Sequence, residues 1–151
     1  MGLDMWLRLR HRTDFDKSFE TFDNAHGSHW QCKEKIYDVQ YWRKANAVHK
    51  WFVDNVQDGN DDCGHYSVTL DHLHKLRADC DTALDHYNEG DHEGAAQFMP
   101  TASGFFFGCT DYDDYYAEDL HKTSVACSKL IKTIQSRSGG GWLTVEYESS
   151  W

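Results

Sequence analysis

Apolar and polar residues alternate at the start of the chain, with Leu3, Met5, Leu7 and Leu9 on one side and Asp4, Trp6, Arg8 and Arg10 on the other. A period of two predicts a β-strand with one buried face. The far end reads the same way: Leu143, Val145 and Tyr147 oppose Trp142, Thr144 and Glu146, so a closing strand is expected over 142–147. Another strand is expected over 35–41, where Ile36 and Val39 are apolar and no cap or breaker intervenes.

Between these ends the period changes. Trp42, Ala45, Val48, Phe52 and Val56 recur at three and four residues, which predicts an amphipathic helix over 42–56 that stops in the turn formers of 57–62. Ser67 or Thr69 suits the cap of a second helix whose apolar stripe is Leu70, Leu73, Leu76, Cys80 and Leu84. A third helix follows the acidic run 111–114, which complements a helix dipole, and carries Tyr116, Leu120, Cys127, Leu130, Ile131 and Ile134 toward Gln135. Residues 11–33, with Asn24, Gly27 and Ser28, show neither period, and a long excursion with one helical turn at 16–22 is expected. The chain loosens between Asn88 and Pro100, and 136–141 reads as a flexible connector. Two strands, three helices and a strand do not alternate as a parallel sheet does. The expected fold is therefore α+β, one domain over 1–151, with a small antiparallel sheet packed by about three helices.

Charge narrows the function classes. Twenty-five acidic against 15 basic residues give a formal net charge of -10, which opposes binding to a nucleic acid polymer but leaves room for a small anion held by one or two arginines. No window approaches the ~20 apolar residues of a bilayer span, and Asp4 interrupts the place of a secretory signal, so no membrane partner and a cytoplasmic location are expected. Five cysteines without a Cys-x-x-Cys pair are expected to be reduced thiols, and the spacing of the ten histidines predicts no metal site. No cofactor motif is present: the glycines at 139–141 lack the following Lys-Ser/Thr of a phosphate loop.

Two stretches carry candidate chemistry. The first is Trp42-Arg43-Lys44-Ala45-Asn46, where two cations beside an expected helix start suit a phosphate or carboxylate, with Asn46 on the same face; the plainer alternative is a solvated rim beside core tryptophan. The second runs from Thr101 to Tyr116, TASGFFFGCTDYDDYY. On a strand, Phe105 and Phe107 would face one way and Phe106 the other, and Gly104 and Gly108 would let a planar ligand approach closely. Thr101 and Ser103 add hydroxyls, and Tyr112, Tyr115 and Tyr116 add aromatic faces with polar tips, a set suited to a stacked nucleobase; ordinary core beside a turn is the competing account. Six tryptophans, eight tyrosines and eight phenylalanines in a chain of mean hydropathy -0.75 exceed what a small core conceals, so a cleft or a subunit interface is expected to take the surplus. For catalysis the signals are thinner. Asp111, Asp113, Asp114 and Glu118 read first as helix-start complementation, and Ser103 lacks both Gly-x-Ser-x-Gly and an assignable histidine.

The start Met1-Gly-Leu-Asp-Met5, the segment Tyr41-Trp-Arg-Lys-Ala-Asn-Ala-Val-His-Lys-Trp-Phe-Val53, the block Pro100-Thr-Ala-Ser-Gly-Phe-Phe-Phe-Gly108 followed by Tyr112-Asp113, and the ending Ser149-Ser-Trp151 together resemble a family of small phage and prophage proteins. Residues 11–33 fall outside that pattern. The resemblance implies a role against bacterial defence, either by sequestering a nucleotide second messenger or by docking on a defence protein. Joined to the residue reading, it leads to the expectation of a non-catalytic homo-oligomer that encloses a small nucleotide-like signal in the infected host's cytoplasm. Arg43 and the helix start would hold phosphate, Phe106 or Tyr116 would stack on a base, and Thr101, Ser103 and Asn46 would orient it; Trp42, Gly104 and Tyr112 complete the expected contact set. The alternatives are an acidic inhibitor docked on a host defence protein and a nucleotide hydrolase using Asp111, Asp113 or His121 with a metal. Trp151 is expected either to reach a neighbouring subunit or to plug the core.

Overall fold

A computed structural model describes residues 2–14, 16–23, 25–137 and 141–151. Met1, Phe15, Asn24 and residues 138–140 of the expected connector at 136–141 lie outside the described residues. The fold is α+β. Strands β1 (Asp4–Arg12), β4 (Glu34–Arg43), β5 (His65–Val68) and β6 (Trp142–Ser150) form one antiparallel sheet in the order β4-β1-β6-β5, and β2 (Glu20–Asp23) pairs with β3 (His29–Cys32) in a separate hairpin. Helices α1 (Asn46–Asn55), α2 (Leu70–Asn88), α3 (His92–Phe98) and α4 (Asp114–Gln135) complete the chain.

The two terminal strands behave as their alternation predicts. Leu3, Met5 and Leu7 are fully buried, with Leu9, Val145 and Tyr147 beside them, because a pleated strand sends successive side chains to opposite faces. The opposite face carries a cross-strand charge ladder: Arg10 meets Glu146 at 2.6 Å and Glu34 at 3.4 Å, Arg8 meets Asp38 at 2.8 Å and also pairs with Glu148, and Arg12 reaches Glu34 at 3.4 Å. Such half-exposed pairs stabilise a sheet modestly, but they fix which face meets water.

Helices then cover the apolar face. Phe52 of α1 lies stacked on Tyr147 of β6 at 3.8 Å, with Trp51 and Trp42 at its edges. Leu73, Leu76 and Cys80 of α2 and Leu120, Cys127, Leu130 and Ile131 of α4 join the same core. Thr69 caps α2: its hydroxyl accepts from the His72 amide at 3.1 Å, and the His72 ring accepts from the Thr69 amide at 3.2 Å, the part a glutamate usually plays.

The structure corrects four local expectations. Residues 16–22 are not a helical turn but lead into the β2–β3 hairpin, where Phe22 and Trp30 stack across the strands. The helix expected from Trp42 begins at Asn46, since Trp42 pairs with Met5 in the ladder and Lys44, at φ 61°, turns the chain out of the strand. Trp42 fits the helical period only because strand end and helix face one core. Ser67 lies in β5, a short edge strand that four residues were too few to announce. The region before Pro100 contains α3, capped by Asp91, which accepts from Gly94 N–H at 2.9 Å, with Ala95 and Met99 fully buried.

His49 sits buried beneath this assembly. Its Nε2 lies 3.0 Å from Asp61 and its Nδ1 2.7 Å from the Tyr147 hydroxyl, so both ring nitrogens are engaged. Trp151 donates to the other Asp61 oxygen at 3.0 Å and packs edge-on against Phe107. The terminal tryptophan thus folds back on its own chain.

Candidate functional site

A cleft of about 520 Å³ opens where the end of β4, the start of α1, the 101–113 segment and the first turns of α4 meet. That volume lies in the range of small-molecule sites.

One wall depends on backbone that only certain residues permit. The Lys44 amide donates to Leu3 O at 2.7 Å, and the Leu3 amide donates to Phe106 O at 3.1 Å, so the N-terminal segment bridges the turn and the aromatic loop. Gly108, at φ 86°, passes directly over Lys44; a Cβ there would sit 3.0 Å from the Lys44 Cβ. Asn46 fastens the loop from below: its Nδ2 donates to Phe107 O at 3.1 Å and Cys109 O at 2.7 Å, and its Oδ1 accepts from Ala102 N–H at 3.0 Å. Thr101 closes the loop on itself, with Oγ1 donating to Thr110 O at 3.0 Å and its amide donating to the Tyr112 hydroxyl at 3.3 Å.

These contacts relocate several sequence-selected residues. Trp42, Arg43, Asn46, Thr101 and Tyr116 line the cleft; Ser103, Gly104, Phe106 and Tyr112 are not among its lining residues. Asn46 is buried with its amide engaged by the loop. Trp42 is buried and donates to Thr123 Oγ1 at 3.0 Å, and Tyr116 is buried with its hydroxyl on Met99 O at 2.9 Å. Residues 104–107 form a turn, closed by Phe107 N–H on Gly104 O, instead of the expected strand. The ring left outside is consequently Phe105, at 94% exposure, with Phe106 against its edge and Phe107 packed on His49. The exposed aromatic residues of the cleft are Tyr41 and Tyr115.

The acidic run divides similarly. Asp113 caps α4, accepting from Tyr116 N–H at 3.0 Å; Asp114 accepts from the Tyr87 hydroxyl at 2.8 Å; and Asp111 accepts from the Cys109 thiol at 3.0 Å. His121 is exposed and does not line the cleft. No protein-family model, curated protein or solved structure matches this chain. The site must therefore be understood from its own chemistry.

That chemistry is bipolar. On the β4 wall, neither Arg43 nor Lys44 joins a salt bridge among the described residues, whereas Arg8, Arg10, Arg12, Lys50 and Lys75 do. Arg43 lies beside the Tyr41 hydroxyl, which donates to Asp4. On the α4 wall stands Asp119, a half-buried carboxylate that no described residue hydrogen-bonds; Lys122, three residues on, pairs with Glu118 at 2.7 Å. Burial moves the Asp119 carboxyl from its ordinary 3.8 to about 6; Lys122 opposes the shift, and Glu118 and Asp113 add to it. Asp119 escaped the sequence reading because it hides inside the apolar stripe of α4, between Tyr116 and Thr123. An acidic residue interrupting such a stripe is the signal that would have found it.

This carboxylate has a measurable cost. Its folded pKa exceeds its unfolded one, so the folded chain holds the proton more tightly; the penalty is absent below about pH 4 and complete above about pH 6. Discounted for partial exposure, Asp119→Asn is expected to stabilise the fold by about 1–2 kcal/mol at pH 7.5. Urea unfolding at pH 7.5 and pH 4 measures this, and a gain that persists unchanged at pH 4 contradicts it.

Proposed function

We propose that this protein binds and holds a small nucleotide-like molecule in the cleft without converting it. The observation that carries the reading is the pairing, across one cavity, of Arg43 and Lys44, which join no salt bridge among the described residues, with a half-buried carboxylate at Asp119 that no described residue hydrogen-bonds. Groups left in this state at a stability cost are what ligand sites contain and what folding alone does not require. Arg43, Lys44 and the nearby start of α1 favour an anionic group such as a phosphate. Tyr41 and Tyr115 offer aromatic faces, and Asp119 offers acceptors to the N–H groups of a base. The resemblance to phage and prophage proteins makes a nucleotide signal of bacterial defence the natural ligand class, and capture in place of turnover agrees with the structural engagement of Asp111 and Asp113.

Native mass spectrometry of protein purified from defence-activated bacterial lysate, followed by denaturation, tests this directly. A stoichiometric, intact nucleotide supports sequestration; a hydrolysed product would point to an enzyme, and a bound host polypeptide without a small molecule to a protein inhibitor. For the recovered ligand, Arg43→Ala is expected to weaken binding by ~1–3 kcal/mol through loss of a charge-assisted contact. Titration calorimetry checks this, and unchanged affinity in the folded variant removes Arg43 from the site.

A further inference from the structure

We propose that the cleft selects a guanine base, read by Asp119 together with Lys122; the inference rests on the nucleotide reading above. Both residues line the cleft and stand three apart on α4, hence on neighbouring positions of one helix face. An ionised carboxylate only accepts hydrogen bonds, and its two oxygens are best met by two adjacent donors. Among the common bases, guanine presents that pair on its Watson–Crick edge, N1–H beside the 2-amino group. The neighbouring guanine O6 needs a donor, and Lys122 has three N–H groups, of which the contact to Glu118 at 2.7 Å uses one. Adenine would instead turn the N1 lone pair toward a carboxylate, which is repulsive, while uracil offers a single donor between two carbonyls.

The geometry of the cleft agrees. The charged groups on its walls are Arg43 and Lys44 from the β4 side, Asp111 and Asp113 from the loop, and Glu118 and Lys122 beside Asp119 on α4. Asp111 and Asp113 are engaged by Cys109 and by the α4 amide. Among the described residues, Asp119 is thus the cleft carboxylate that accepts no hydrogen bond, and Arg43 and Lys44 on the opposite wall are in no salt bridge and face phosphate. A carboxylate that no described residue hydrogen-bonds also repels a base that sets a lone pair against it, so it discriminates by repulsion as well as attraction.

Titration calorimetry at pH 7.5 with GMP, AMP and XMP tests the assignment on the intact chain. Wild type is expected to bind GMP at least tenfold tighter than AMP. Asp119→Asn replaces two acceptors with one acceptor and one donor, a match for xanthine N1–H and O2, so it should weaken GMP at least tenfold and prefer XMP. Because this variant is expected to be more stable than wild type, its loss of GMP binding is not a folding failure, and the gained XMP preference is an effect unfolding cannot imitate. Equal GMP and AMP affinities, both reduced by Arg43→Ala, would overturn the base assignment and leave the nucleotide reading standing. Absence of binding to all three mononucleotides by wild type would overturn the base assignment, and an empty protein in the lysate experiment would remove the nucleotide reading with it.

Discussion

Phe52→Ala is expected to lower the stability of the fold by about 3–5 kcal/mol, the largest effect of any single truncation considered. Phe52 is fully buried and forms the hinge of the core: its ring lies flat on Tyr147 at 3.8 Å and 10° from parallel, meets Trp51 edge-on at 5.5 Å and tilts against Trp42 at 6.3 Å. Removing it opens a cavity between α1 and β6 bounded by large rigid rings, which collapse into the space less readily than aliphatic chains do. The lost ring contacts add to the cavity term. Urea denaturation should show a lower midpoint at unchanged slope, and a loss below 1 kcal/mol would mean that the aromatic stack is not what joins helix to sheet.

Asn46→Ala is expected to cost about 2–4 kcal/mol and, unlike the core truncation, to act on the cleft specifically. The side chain makes three hydrogen bonds, to Phe107 O, Cys109 O and Ala102 N–H, all from the first position of α1 to a loop far along the chain. Alanine leaves two carbonyls and an amide without their partner. The loop should then detach before the rest unfolds, because what still holds it is chiefly Leu3 N–H on Phe106 O, the internal bonds of Thr101 and the Phe107 ring against His49 and Trp151. Limited proteolysis should cut the variant within 101–112 under conditions in which wild type and Phe52→Ala at matched stability are protected there. Equal protection of the loop in Asn46→Ala would show that Asn46 is incidental to the wall.

Asn46 also illustrates where sequence legibility ends. Its position at a helix start beside two cations reads as ligand chemistry, yet its hydrogen-bonding groups serve a segment more than fifty residues away. Phe105, Phe106 and Phe107 show the same limit. Alternation along a strand assigns Phe106 outward, but a turn at 104–107 reverses the geometry and exposes Phe105. Local pattern reports which residues are apolar; it does not report a turn stabilised by contacts to the N-terminus.

What the amino-acid order determined by itself is the set of long periodic elements: the buried faces of β1 and β6, the stripes of α2 and α4 and the α+β class. Each rests on many residues repeating one period, so local preference and burial agree. Tertiary structure decided the rest. The short elements β2, β3, β5 and α3 draw their stability from neighbours, because four to seven residues carry too little periodicity to specify an element alone. The cleft likewise exists only where β4, α1, the 101–113 loop and α4 converge. Asp119 acquires its raised pKa from the burial that this convergence imposes, a property no residue possesses in the unfolded chain.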